Sequence, residues 1–103
     1  MFKVIEGTTP AIKFIFGTVE PSDITKAVLT VMDGDGAIVI EKALNEAVVG
    51  SNYISWTLTQ EDTLALEPES YKVMCNWITR FGVRGASKEE QFCVVKNHIE
   101  EVL

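Results

Sequence analysis

The sequence predicts an all-β protein, an antiparallel β-sandwich of about seven short strands with one helical turn. Apolar residues recur in twos along most of the chain, β-branched and aromatic residues fill those runs, and Gly- and Asp-containing turn signals separate them. Period two with such residues belongs to half-buried strands. Short strands between closely spaced turns pack as a sandwich or barrel.

The first run carries Ile12, Phe14 and Phe16 on one side, with Lys13 between them. Pro21-Ser22-Asp23 then punctuates the chain before Ala27, Leu29 and Val31, which alternate with Val28, Thr30 and Met32. Asp33-Gly34-Asp35-Gly36 reads as a hairpin connection, because glycine takes positive φ at no steric cost. Ile38 and Ile40 follow, alternating with Val39 and Glu41. After a break at Val49-Gly50-Ser51-Asn52, Ile54, Trp56 and Leu58 alternate with Tyr53, Ser55 and Thr57. The longest run sets Tyr71, Val73, Cys75 and Trp77 against Lys72, Met74, Asn76 and Ile78. Phe81-Gly82-Val83-Arg84-Gly85 breaks the chain again, and Phe92 and Val94 alternate with Gln91, Cys93 and Val95.

One segment departs from period two. Thr59 to Leu66 reads as a turn or two of helix, with Thr59 as cap, Glu61 and Asp62 at the positive end of the dipole, Leu64 turned to the core and Pro68 ending it. It is too short to be stable alone. A common phase within each segment gives the expected core: Phe14, Phe16, Leu29, Val31, Ile40, Ile54, Trp56, Leu58, Leu64, Tyr71, Val73, Cys75, Trp77, Phe92 and Val94.

At 103 residues, 47% of them hydrophobic, the chain suits one domain spanning 1–103 with one core. Nine Lys and Arg stand against fifteen Asp and Glu, a net charge of -6. The cations are spread singly, so the source of affinity for phosphates or anionic lipid is missing, and neither nucleic acid nor membrane is an expected partner. No apolar stretch reaches the roughly 18 to 20 residues of a membrane helix. No basic region precedes an apolar segment at the N-terminus, so synthesis in the cytosol is expected. Cys75 and Cys93 fit two free, partly buried thiols in a reducing compartment, with a bridge between neighbouring strands as the alternative.

The search for chemistry yields no catalytic set, cofactor site or metal site. Asp33 and Asp35 do not reach the ligand spacing of a calcium loop: numbering Asp33 first puts Ala37 fifth, and numbering it third puts Val31 first and Lys42 last. His98 is the single histidine and lies near the C-terminus, and with Cys75 and Cys93 it shows none of the close spacings of a zinc site. The pairs Glu61-Asp62, Glu89-Glu90 and Glu100-Glu101 are adjacent in sequence, so their side chains diverge. Dinucleotide, P-loop and hydrolase-elbow glycine motifs are missing. Trp56 and Trp77 alternate in phase with apolar neighbours, which favours burial over a sugar-stacking surface, and Tyr53 and Tyr71 stand near strand starts.

Leu58, Thr59, Asp62, Thr63 and Leu66, then Pro68 and Tyr71, then Phe92 and Val94 form a pattern of their own. It resembles that of the small immunoglobulin-like structural domains of phages and prophages of Gram-positive bacteria, the kind found at the N-terminus of the phage baseplate upper protein. In that family a strand runs into a Leu-Thr-x-x-Asp-Thr-x-x-Leu helical turn. A Pro-Gly-x-Tyr corner opens the next strand, and a strand pairing Phe with Val closes the fold. Glu69 stands here where the family has Gly. The match is detailed over about a quarter of the chain and elsewhere keeps only order and pattern.

The resemblance implies a non-enzymatic virion structural or adaptor protein of tail, baseplate or neck. Its partners would be other virion structural proteins, with a homo-oligomer possible in the assembled particle. The competing reading is a carbohydrate-binding sandwich that stacks sugars on exposed Tyr or Trp. Edge strands and the loops around Asp33–Gly36 and Phe81–Gly85 are the expected contact elements. Arg80, Phe81 and Arg84 are the expected interface residues, because they gather an aromatic and two arginines on an otherwise acidic chain.

Overall fold

The computed structural model describes residues 2–96. Its strands are β1 (Phe2–Ile5), β2 (Ala11–Ile15), β3 (Ile24–Met32), β4 (Ile38–Ala43), β5 (Val48–Val49), β6 (Tyr53–Thr57), β7 (Ser70–Thr79), β8 (Arg84–Ala86) and β9 (Glu90–Val95). Among the described residues one α-helix, α1 (Gln60–Leu64), lies between β6 and β7. The larger sheet runs β1-β9-β7-β3-β4, with β8 also on β7, and the smaller runs β2-β6-β5. The two sheets form the expected sandwich.

The long alternating runs became the centre of the larger sheet. β3 and β7 pair antiparallel from Ile24 opposite Thr79 to Met32 opposite Lys72. Their inward residues, Ala27, Leu29, Val31, Tyr71, Val73 and Cys75, meet Ile12, Ile54, Trp56 and Leu58 of the facing layer. Each Val, Leu or Ile side chain among them taken fully out of water contributes about 1.5–3 kcal/mol. β7 changes partner along its length, pairing with β9 at Ser70–Val73 and with β8 at Asn76–Ile78. At the changeover the Ser87 hydroxyl accepts from the Cys75 N–H at 2.9 Å.

Four details differ from the sequence reading. The strands number nine among the described residues, because β1 and the very short β5 and β8 add to the alternating runs. β1 joins β9 in parallel, and its Phe2 stacks on Phe92 at 5.2 Å. In the helical segment Leu64 is only half-buried, while Thr63 and Leu66 go inside. Helix α1 ends at Leu64, so Leu66 turns inward from the irregular stretch beyond it. The Thr63 hydroxyl is satisfied there, donating to the Thr8 carbonyl at 2.7 Å. Phe14, Ile40 and Trp77 pack on the core without being fully covered.

The helix start and the following corner match their sequence signals. Thr59 Oγ1 accepts from the Asp62 N–H at 3.0 Å, and Asp62 Oδ2 accepts from the Thr59 N–H at 2.8 Å. This reciprocal box satisfies two N–H groups that a helix start leaves open. At the corner, the Tyr71 hydroxyl donates to the Glu67 carbonyl at 3.0 Å, the tyrosine corner of immunoglobulin-like sandwiches. Glu69, in the family's glycine position, uses its carbonyl to accept from the Val94 N–H at 2.9 Å.

Candidate interaction surface

One exposed surface feature is the hairpin that joins β7 to β8. Its base is Thr79, which is buried. The Thr79 N–H donates to the Val83 carbonyl at 2.9 Å, and the Gly82 N–H donates to the Thr79 carbonyl at 3.0 Å. The Thr79 hydroxyl accepts from Phe81 N–H at 3.3 Å and Val83 N–H at 3.2 Å. Gly82 takes φ +80°, the left-handed residue that closes a three-residue hairpin loop. The tip is thus built by main-chain bonds and one hydroxyl, and the loop's shape does not depend on the Phe81 side chain.

Phe81 stands at that tip, 68% exposed. The Arg80 guanidinium lies 4.8 Å from the Phe81 ring centroid, and Arg80 Nε is 2.9 Å from Asp23 Oδ1. The Arg80 N–H also donates to the Asp23 carbonyl at 2.8 Å. Arg84 is exposed opposite Ile78 at the start of β8, and Lys26 is the next residue across, on the other side of Ile78. The structure therefore brings Arg80, Phe81 and Arg84 to one end of the sandwich. Beneath them Trp77 packs edge-on to Phe16 at 4.9 Å. Gly85 lies beside the Trp77 ring, where a Cβ would come within 2.4 Å of it.

Two concavities lie elsewhere. One, about 330 Å³, follows β2, which has a strand partner on one side only, and Phe2, Phe14 and Val73 give it apolar walls. The other, about 550 Å³, lies at the far end of β7 from Phe81. Six carboxylates line it, those of Asp33, Asp35, Glu61, Asp62, Glu67 and Glu69. Sequence reasoning missed this groove, because its acids come from three separate segments. Lys42 Nζ is 2.9 Å from Asp62 Oδ2. Burial pulls the Asp62 carboxyl upward, but its bonds to Thr59 and Lys42 outweigh burial and hold it below the usual value. Burial, then the charges of Glu69, Glu67 and Asp33, push the Tyr71 hydroxyl up.

The remaining candidates are kept apart. No group of three or more His, Cys, Asp or Glu side chains among the described residues is placed to hold a metal ion. His98 and the pair Glu100-Glu101 lie outside the described residues. Cys93 sits opposite Ser70, five positions along β7 from Cys75, or about 16 Å at strand rise. A disulfide needs Cα atoms within about 7 Å, so the alternative of a bridge between these strands is excluded by register. Burial pushes the Cys75 thiol up to about 11, which keeps it protonated and unreactive near neutral pH. Trp56 is 0% exposed, with its indole N–H donated to the Ala43 carbonyl at 2.9 Å, so it offers no stacking face. Tyr53 is half-buried against Gly50, with the Lys13 ammonium 4.3 Å from its ring centroid. No helix among the described residues is long and apolar enough to cross a membrane.

No family model matches the chain, and no curated protein matches it in sequence. Its fold is similar to that of CopC from Methylosinus trichosporium OB3b, with a TM-score of 0.60 and 19% identity over 95% of this chain and 86% of that one. It is also similar to part of a protein described as a glycoside hydrolase from Bacteroides vulgatus. That match has a TM-score of 0.56 and 14% identity over 94% of this chain and 17% of the other. At such identities the likeness establishes the fold, an immunoglobulin-like β-sandwich.

Proposed function

We propose that this domain is a non-enzymatic structural or adaptor protein of a phage or prophage virion, in tail, baseplate or neck, acting through protein–protein contacts. The observation that carries the docking part is the hydrogen-bonded hairpin that holds Phe81 out in solvent, with Arg80 beside it and Arg84 at its foot. A large aromatic exposed on a well-braced loop gains nothing for folding, and aromatic and Arg side chains are the usual anchors of interfaces. The virion setting rests on the Leu58–Tyr71 helix-and-corner pattern and its closing Phe92 and Val94.

The test is the double substitution Phe81→Ala/Arg84→Ala in the phage or prophage that encodes the chain. Both side chains are exposed, so the melting temperature should stay within a few degrees of the parent, the effect of about 0.5 kcal/mol in a domain of this size. Incorporation into particles should be lost. Particles that assemble normally with the double variant would remove this loop from the docking surface.

A further inference from the structure

The loop and the acidic groove lie at opposite ends of β7, the Phe81 hairpin after Thr79 and the groove around Tyr71. Ten residues of strand separate them by about 30 Å, in a molecule 46 Å long, so no copy can fill its own groove. The two ends are complementary. At the hairpin end, neither Arg84 nor Lys26 has a carboxylate within ion-pair distance among the described residues. At the groove end, Asp35, Glu61, Glu67 and Glu69 are exposed and likewise lack a cation within that distance, since Lys42 is engaged with Asp62. An exposed apolar side chain also lines the groove. Val39 is 43% exposed there and lies outside the core, whereas its neighbour Ile40 packs against the core.

We infer that the occupant of the groove is the Phe81 hairpin of a second copy of this chain. Phe81 would lie on Val39, with Arg84 and Lys26 against the carboxylates of the rim. Opposite charge at contact fixes register, and the aromatic supplies the buried anchor. The contact uses different patches on the two copies, so each bound copy still offers a free hairpin and a free groove. Such heterologous contacts propagate, closing into a ring where the rotation allows and otherwise forming a line. A net charge of -6 opposes the approach of two copies over longer distances. Association of the free domain is therefore weak, and it strengthens where a particle holds copies at an effective concentration on the order of millimolar.

This inference rests on the docking role proposed for the same loop, and sedimentation of the purified chain separates the two. One variant, Phe81→Ala/Arg84→Ala, removes the hairpin's side chains; a second, Glu67→Lys/Glu69→Lys, reverses the groove. Each must first melt as a folded domain, and Glu67→Gln/Glu69→Gln serves in place of the second if it does not. At protein concentrations on the order of a millimolar, the parent should form species larger than dimers. Each variant alone should associate about tenfold or more weakly, the effect of losing an anchor residue. An equimolar mixture should stop at dimers, because only one intact hairpin and one intact groove remain to meet. A parent that stays monomeric, or a variant that assembles like the parent, overturns the inference. If the parent is monomeric while Phe81→Ala/Arg84→Ala is still excluded from particles, the loop docks on a different virion protein and only the self-contact falls.

Discussion

The hairpins Asp33–Ala37 and Thr79–Val83 have the same backbone and opposite surfaces. In each, the first residue's N–H donates to the fifth residue's carbonyl at 2.9 Å. In each, one side-chain oxygen of the first residue accepts from the third and fifth N–H groups, Asp33 Oδ1 at 2.9 and 3.0 Å and Thr79 Oγ1 at 3.3 and 3.2 Å. In each, the fourth residue is glycine at positive φ, +84° at Gly36 and +80° at Gly82. The tips then diverge: Gly34-Asp35 in one, Arg80-Phe81 in the other. Conformation is set at the first and fourth positions, so the second and third are free to carry recognition. That separation is why an exposed phenylalanine can be tolerated at Phe81 without loosening its loop.

The largest effect should come from the support under the Phe81 hairpin. Trp77→Ala should cost about 3 kcal/mol, the low end for a large aromatic because the ring is only half-buried. An unchanged denaturant midpoint would show that the hairpin stem does not depend on it. Next come the two glycines. Gly82→Ala and Gly36→Ala should each cost about 1–2 kcal/mol, since a Cβ is disfavoured at positive φ in both. A large cost at one with none at the other would break the equivalence of the loops. A smaller effect should follow at the first position. Thr79→Val removes an acceptor of two N–H groups and should lower stability by about 1 kcal/mol, whereas Asp33→Asn keeps the acceptor and should change little.

The smallest effect concerns pH at the acidic end. The Asp62 carboxyl is held below its ordinary value of 3.8 in the folded chain. Its contribution to stability is therefore complete above that value and is lost as pH falls through the lower, folded one. Melting temperatures of parent and Asp62→Asn should converge over that acid window. Parallel profiles across it would show that the bonds to Thr59 and Lys42 add nothing.

Local signals carried most of the fold. The Thr59-x-x-Asp62 box, the Asp33–Gly36 turn and the phases of Trp56 and Phe92 all depend on neighbours a few residues away. β1 could not be read in this way, because four residues become a strand only when β9 offers an edge from the other end of the chain. The choice of Leu66 over Leu64 turned on where the helix stopped, and helix ends are set by packing as well as by caps. At the surface, Arg80, Phe81 and Arg84 stood out because they are neighbours in sequence. The facing groove did not, since Asp35, Glu61 and Glu69 are gathered only by the topology of β3, α1 and β7.

The most direct test exchanges one tip for the other. Replacing Arg80-Phe81 with the Gly-Asp of the other hairpin leaves Thr79 and Gly82, and hence every bond that shapes the loop, in place. The exchange removes only a surface ion pair and two exposed side chains, worth up to about 1 kcal/mol. The account predicts a folded domain whose melting temperature falls by no more than about 4–8 °C, and which particles no longer incorporate. A domain that unfolds would show that the tip residues shape the hairpin, and a folded one that still enters particles would show that they do not dock it.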